Sequence, residues 1–234
     1  MAEQYYPDAE VYKQLFPRKW AKGELIAGKM REFLSDFTGE SWDRAVFAAG
    51  IVFPDLMKHS LFRFILESVL STLMTVFTGH HSLSIGLFQM KLECACEIEK
   101  YLLNHRKQSE KYKKICFGGK HNYLDMILRN NRLLIPKTAI LYVDAFLEMF
   151  YDIYIKDNKY ETFDTIFRNE YFFSHTAVAY SSGHHLNVEE RLARMDIANY
   201  PYGWNHPRSH WNYQHLSFCY WKTIKSSDGT GVRD

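Results

Sequence analysis

The spacing of apolar residues constrains the fold of this chain more than any other feature of its sequence. Large apolar side chains recur at three- and four-residue steps, which places them on one face of an α-helix. The clearest stripe consists of Leu61, Phe62, Ile65, Leu66, Val69, Leu70, Leu73 and Phe77. Strict period-two alternation, the pattern of a half-buried strand, is sustained nowhere. The sequence therefore predicts an all-α fold.

The same periodicity predicts further helices along the chain. They span residues 10–15, 24–37, 90–103, 121–129, 137–155 and 187–195. After about Asn199 the helical signal gives way to a segment that is dense in Trp, Tyr, His and Asn. We expect this segment to wrap the helical body irregularly before a last short helix. The chain is thus predicted to form one domain, residues 1–225, followed by a flexible tail, 226–234.

Charge and composition exclude several classes of protein. The formal net charge of +2 does not indicate nucleic-acid binding. The longest apolar stretches, such as 45–54, are about half as long as a bilayer crossing requires, so no integral membrane segment is expected. The first residues, MAEQYYPDAEVYKQ, lack the apolar core of a signal peptide. The sequence therefore predicts a cytoplasmic protein, unless it is exported by another route or a leader has been removed.

The cysteines and histidines give no metal or disulfide pattern. Cys94 and Cys96 are too close in sequence for an easy mutual disulfide and lack the CxxC spacing of a zinc site, so free thiols are expected. The adjacent histidines 80–81 and 184–185 diverge on any regular element and are not expected to chelate one ion. The basic run 104–114 is interpreted as a solvated helix end. No cofactor is predicted, and no feature specifies an oligomeric state.

A carboxylate follows the most apolar helix of the chain. The stretch SWDRAVFAAGIVF, 41–53, begins with a serine that can cap a helix, and it becomes apolar on all sides. We expect that helix to end deep in the core, with Pro54 either stopping it or starting the next one. Asp55 would then be either a functional carboxylate or a first-turn aspartate that the helix dipole stabilises.

The stretch SIGLFQMK, 84–91, places a long amide among large apolar residues. If a helix begins near Leu87, Gly86 supplies a turn that is open to a ligand, and Gln89 projects from the first helical turn into a cleft. The alternative is an N-terminal helix turn in which the Gln89 side chain caps its own backbone.

Three stretches in this order, GIVFPD, SIGLFQMK and VAYSSG, resemble the lytic transglycosylase and goose-type lysozyme superfamily. The nearest branch carries FPE, SIGxFQMK and AYN motifs. The resemblance implies a lysozyme-like helical fold with an aromatic-rich C-terminal segment, and cleavage of a peptidoglycan glycan strand. The chain departs from the family pattern because Asp55 replaces the catalytic glutamate and Ser181 replaces an asparagine. A catalytically inactive relative that binds glycan or protein is the alternative.

The resemblance also assigns roles to residues. Asp55 takes the position of the catalytic acid. A carboxyl beside apolar walls is suited to this role because it keeps its proton to higher pH. Tyr180 would support the catalytic carboxyl. The substrate-binding positions fall on Ser84, Gly86, Gln89, Tyr180 and Ser181. Glu67 is a rival catalytic carboxylate, but it follows Arg63 by four residues, the spacing of a surface ion pair.

Overall fold

The computed structural model describes residues 9–58, 84–105, 111–116, 123–157, 162–195, 199–200 and 211–228. The chain divides into two compact units, one formed by Met1–Lys58 with Glu161–Asp234 and the other by His59–Tyr160. The prediction of a single domain over 1–225 stays a prediction. The predicted stripe between Leu61 and Phe77 lies outside the described residues.

The described residues are mostly helical, which confirms the all-α prediction. No helix among them is long and apolar enough to cross a membrane. In chain order the elements are α1 (Ala9–Leu15), α2 (Pro17–Glu32) with a π-helical turn (Phe33–Phe37), α3 (Trp42–Lys58), β1 (Ser84–Ile85), β2 (Met90–Lys91), α4 (Leu92–Asn104), α5 (Tyr123–Leu134), α6 (Pro136–Asp157), α7 (Phe163–Ile166), α8 (Glu170–Ser182), α9 (Val188–Met195), β3 (Asn199–Tyr200), β4 (Trp211–Asn212) and α10 (Tyr213–Asp228).

The core of the first unit forms around α3. Every residue from Arg44 to Met57 is buried, and α3 packs against α2, α8 and α10. Phe47 lies among three phenylalanine rings of the α7–α8 region, with centroids 4.9 to 5.3 Å away. Farther along α3, Phe53 stacks on Tyr220 of α10 at 3.8 Å between ring centroids. Enclosure by three helices is the arrangement that a helix apolar on all sides requires.

Pro54 lies inside α3, which continues to Lys58, so the prediction that Pro54 ends or starts a helix is wrong. A proline in a helix interior removes the amide that would bond the carbonyl four residues earlier, here that of Gly50, at a cost of about 3 kcal/mol or more. The packing of α2, α8 and α10 around this turn offsets that cost. Tertiary enclosure therefore overrides a local signal that stops helices in solvent.

The aromatic-rich C-terminal segment is partly regular. Strands β3 and β4 pair antiparallel, with Tyr200 opposite Trp211. The helix that follows, α10, has sixteen residues, which makes it longer than the short helix expected from the sequence. It runs past the predicted start of the tail at residue 226. The hydroxyls of Ser226 and Ser227 donate to carbonyls of the preceding turn and so support these last residues.

A buried carboxylate joins the helices of the second unit. Glu99 of α4 is fully buried and accepts hydrogen bonds from Arg129 and Arg132 of α5 at 2.7 and 3.0 Å. Tyr142 of α6 also donates to it. Burial, and then the charge of Glu99, raises the pKa of Tyr142, so this hydroxyl stays a donor. Removing one member of such a buried group leaves an uncompensated charge, which typically costs about 3–5 kcal/mol.

The end of the basic run is also tied to α6. Lys111 Nζ lies 2.8 Å from Asp144 Oδ2, and the Tyr112 hydroxyl lies 2.8 Å from Glu148 Oε1. Lys111 is only a quarter exposed and Asp144 is fully buried. At Lys111 the interpretation of the run as a solvated helix end is therefore wrong, because buried acidic partners on α6 hold this lysine.

We predict opposite effects on stability for two glycine substitutions. A Cβ at Gly50 would come within 2.9 Å of the Phe173 ring and 3.0 Å of Trp221 Cβ, whereas one at Gly28 of α2 would meet only the Arg31 guanidinium, at 3.9 Å. Gly50→Ala should lower the free energy of unfolding by about 1–3 kcal/mol through overpacking. Gly28→Ala should raise it by up to about 1 kcal/mol through helix propensity. Urea titration measures both, and equal effects would contradict the packing described for α3.

Candidate functional site

Asp55 lies in the buried C-terminal half of α3, next to a tyrosine from α10. Its side chain is 6% exposed, and its Oδ2 atom is 2.8 Å from the Tyr213 hydroxyl. The same hydroxyl is 2.9 Å from the backbone carbonyl of Ile51, one helical turn before Asp55. Asp55 is thus not a first-turn aspartate at a helix start, and the alternative based on the helix dipole is wrong.

The Tyr213 hydroxyl is shared between two acceptors on α3. A tyrosine hydroxyl carries one hydrogen, yet the Tyr213 oxygen lies within hydrogen-bond distance of two acceptors, the Ile51 carbonyl and the Asp55 carboxyl. The Tyr213 hydroxyl therefore links the Asp55 carboxyl to the backbone of the turn before it.

A cap fixes the position of Tyr213. Asn212 Oδ1 accepts a hydrogen bond from the His215 amide at 2.9 Å, so Asn212 caps α10. Asn212 Nδ2 in turn donates to the Met195 carbonyl at the end of α9. Tyr213 is consequently the first residue of α10, and its ring is buried at 1% exposure. The asparagine before the apolar run was a signal for this cap, but nothing in the sequence linked Tyr213 to Asp55.

The stretch 84–91 forms a β-hairpin rather than the start of a helix. Ser84 pairs with Lys91 and Ile85 with Met90, and α4 begins only at Leu92. The prediction that a helix begins near Leu87 is wrong because Gly86 (φ +77°) and Gln89 (φ +50°) adopt left-handed conformations that an α-helix does not allow.

Gly86 and Gln89 together define the hairpin turn. A Cβ at Gly86 would come within 2.2 Å of the Leu133 carbonyl oxygen of α5, so only glycine fits there. Gln89 donates to the Gly86 carbonyl through both its backbone amide (3.3 Å) and its side-chain Nε2 (3.1 Å). The side chain thus bonds the turn's own backbone, as the alternative predicted, but the turn belongs to a hairpin and not to the helix terminus that the alternative assumed. The result is a half-buried amide on a rigid turn.

Tyr180 and Ser181 lie in the last turn of α8, and both are half-buried. Ser181 Oγ donates to the Val178 carbonyl at 3.2 Å. Arg194 of α9 donates to the Ser182 carbonyl at 3.2 Å, which places a cation at the negative end of the helix dipole. This helix terminus is therefore fixed by contacts with its own turn and with α9.

The predicted site residues belong to different units. Asp55, Tyr180 and Ser181 lie in the first unit, whereas Ser84, Gly86 and Gln89 lie in the second. The resemblance implies that these residues bind one substrate together, and this stays a prediction. Glu67, the rival carboxylate, and its expected partner Arg63 lie outside the described residues.

Metal ligation and known relatives give no further assignment. No group of three or more His, Cys, Asp or Glu side chains converges on a metal position in the described part of the chain. All four cysteines are free thiols, as expected. Comparison with protein-family models, with curated proteins and with solved structures gave no match.

A buried histidine lies in α8, one turn before Tyr180. His175 is fully buried, and its Nδ1 atom is 3.3 Å from Arg191 Nε, which donates to it. Burial, and then the Arg191 charge, lowers the pKa of His175 to about 4. The imidazole is therefore neutral at pH 7 and acts as a hydrogen-bond acceptor for the guanidinium.

We predict that acid destabilises the protein through His175. The pKa of a histidine is near 6.5 in an unfolded chain and about 4 here, so the unfolded state binds the proton more tightly. The stability that this difference provides is complete above pH 6.5 and is lost as the pH falls toward 4. The loss should approach about 3 kcal/mol, measured by urea unfolding across this range. His175→Gln should remove this component, and an unchanged pH profile in that variant would contradict the assignment.

Proposed function

We propose that this protein is a glycosidase of peptidoglycan strands, of the lytic transglycosylase or muramidase type, with Asp55 as its general acid. The observation that carries the proposal is the Asp55 carboxyl, 6% exposed and held 2.8 Å from a tyrosine hydroxyl that also contacts the Ile51 carbonyl. A buried carboxyl that keeps its proton is the group that protonation of a glycosidic oxygen requires. The three motifs that resemble the superfamily supply the substrate class.

The reaction assigns one role to each of two residues. Asp55 gives its proton to the leaving glycosidic oxygen as the bond to the muramyl carbon breaks. The hydroxyl of the same muramyl residue then attacks that carbon and returns its proton to the Asp55 carboxylate, so no second carboxylate is needed. Tyr213 orients the carboxyl and stabilises it after proton transfer. This is the supporting role that the resemblance gave to Tyr180.

The hairpin turn is proposed to bind substrate. Gln89 is a half-buried amide fixed by two hydrogen bonds to Gly86, and Gly86 is fixed by its close approach to Leu133. A rigid amide loses little entropy when it bonds an acetamido group of the glycan. Ser84 at the base of the hairpin, and Tyr180 and Ser181 at the end of α8, are the other proposed contacts.

A second candidate is a glycan-binding protein without catalytic activity. The observation that favours it is the combination of a short side chain with deep burial at Asp55. Aspartate holds its carboxyl one carbon–carbon bond, about 1.5 Å, farther back than glutamate. A misplacement of about 1 Å can reduce a rate on the order of 10²-fold. We therefore expect weak cleavage by the parent protein.

We predict that activity depends on the acid at position 55. On purified peptidoglycan, Asp55→Asn should lower the release of soluble muropeptides by about 10²–10⁴-fold, because an amide cannot donate the proton. Asp55→Glu should raise release because it extends the reach of the acid. Mass analysis of the products detects the anhydro end that a transglycosylase leaves.

Controls separate the two candidates. Tyr213→Phe keeps the ring but removes the hydroxyl, so it should lower cleavage and shift the pH profile while binding to peptidoglycan persists. Cleavage by Asp55→Asn equal to that of the parent would overturn the proposal. The non-catalytic candidate would be favoured if neither the parent nor Asp55→Glu cleaved peptidoglycan while both still co-sedimented with it.

A further inference from the structure

The corner between α1 and α2 exposes large apolar side chains next to basic ones. Leu15 is 62% exposed, Leu25 is 61% exposed and Phe16 is 37% exposed. We use the name basic corner for these three residues together with the basic side chains beside them, Arg18, Lys19, Lys22 and Lys29. The combination of exposed apolar and basic side chains, rather than the exposure of any one leucine, distinguishes this region.

Helix geometry places Leu25, Lys22 and Lys29 on the outer side of α2. Trp20, Gly23, Ala27 and Met30 form the buried stripe of the helix. Leu25 is on the opposite side of the helix from that stripe. Lys22 precedes it by three residues and Lys29 follows it by four, so both lie beside it on the same face. The leucine is therefore flanked by two basic side chains and faces away from the core.

The turn between the two helices continues the same pattern. Leu15 ends α1, and Phe16 precedes Pro17, the first residue of α2. The Lys19 ammonium lies 5.0 Å from the centroid of the Phe16 ring, so an apolar ring and a cation share one position on the surface. The turn thus places exposed apolar side chains and a lysine next to each other.

The charge of this region differs from that of the chain. Residues 9–32 contain six Lys or Arg and three Glu, an excess of three positive charges, whereas the whole chain has a net charge of +2. Of the three glutamates, Glu24 accepts a hydrogen bond from the indole of the buried Trp20 at 2.8 Å. Glu24 is thus engaged toward the packed side of α2 and not beside Leu25.

We propose that the basic corner docks on the surface of an anionic lipid bilayer. Basic side chains near such a surface are attracted to its negative potential, and leucine and phenylalanine side chains enter the boundary between head groups and acyl chains. This pairing favours a bilayer over a nucleic acid, because exposed leucines gain nothing from a phosphate backbone that water surrounds. The lysine stems reach past the apolar side chains to the head groups.

Vesicle co-sedimentation of the full chain tests this proposal. We expect binding to vesicles of phosphatidylglycerol with phosphatidylcholine and little binding to phosphatidylcholine alone. Lys22→Glu with Lys29→Glu should weaken binding at least about tenfold, given about fivefold for each basic residue near such a surface. Leu25→Ser should weaken it severalfold at unchanged charge. Leu124→Ser, at a leucine of α5 that is 64% exposed, is the matched control and should bind like the parent.

One outcome of this experiment supports the proposal and two overturn it. The proposal is supported if the Lys22→Glu/Lys29→Glu variant and Leu25→Ser lose binding while Leu124→Ser binds like the parent. The circular dichroism spectra of all variants should match that of the parent. No binding to anionic vesicles overturns the proposal. Binding to duplex DNA that depends on Lys22 and Lys29 but not on Leu25 also overturns it, since the corner would then be a general polyanion site.

Discussion

The first unit depends on the enclosure of α3. A helix that is buried from Arg44 to Met57 can form only if other helices cover its whole circumference, and α2, α8 and α10 do so. This requirement explains the close packing of α8 and α10 against Gly50, where the Phe173 ring and Trp221 leave no room for a Cβ. It also explains how Pro54 stays within the helix. The burial of Asp55 follows from the same enclosure, because its carboxyl lies on the buried part of this helix.

The buried carboxyl of Asp55 needs a hydrogen-bond partner, and α10 provides one. Tyr213 contacts the Asp55 carboxyl and the Ile51 carbonyl with one hydroxyl, and the Asn212 cap sets where that tyrosine stands on α10. The arrangement thus connects a local sequence signal, an asparagine before a helix, to the contact of a hydroxyl with a carboxyl far away in sequence. The glycosidase proposal adds that this carboxyl keeps its proton, because a general acid must hold its proton before it can transfer it.

Some of these features could be predicted from the sequence and others could not. The helices at 10–15, 90–103, 137–155 and 187–195 agree with α1, α4, α6 and α9 to within about two residues, since their apolar spacing is regular. Pro54 and the hairpin at Gly86 could not be predicted. The first depends on tertiary enclosure, and the second on backbone conformations, at Gly86 and Gln89, that the apolar pattern does not encode. The Asp55–Tyr213 contact joins residues 158 positions apart, and no periodicity reports such a pair.

The protonation state of Asp55 is the central claim, and infrared difference spectroscopy measures it directly. The spectrum of the parent protein minus that of Asp55→Asn at neutral pH isolates the vibrations of this one side chain, and Tyr213→Phe shows whether the hydroxyl contributes. The account predicts the carbonyl stretch of a protonated carboxylic acid in the parent, shifted when the Tyr213 hydroxyl is removed. A difference spectrum with only the bands of an ionised carboxylate would contradict it.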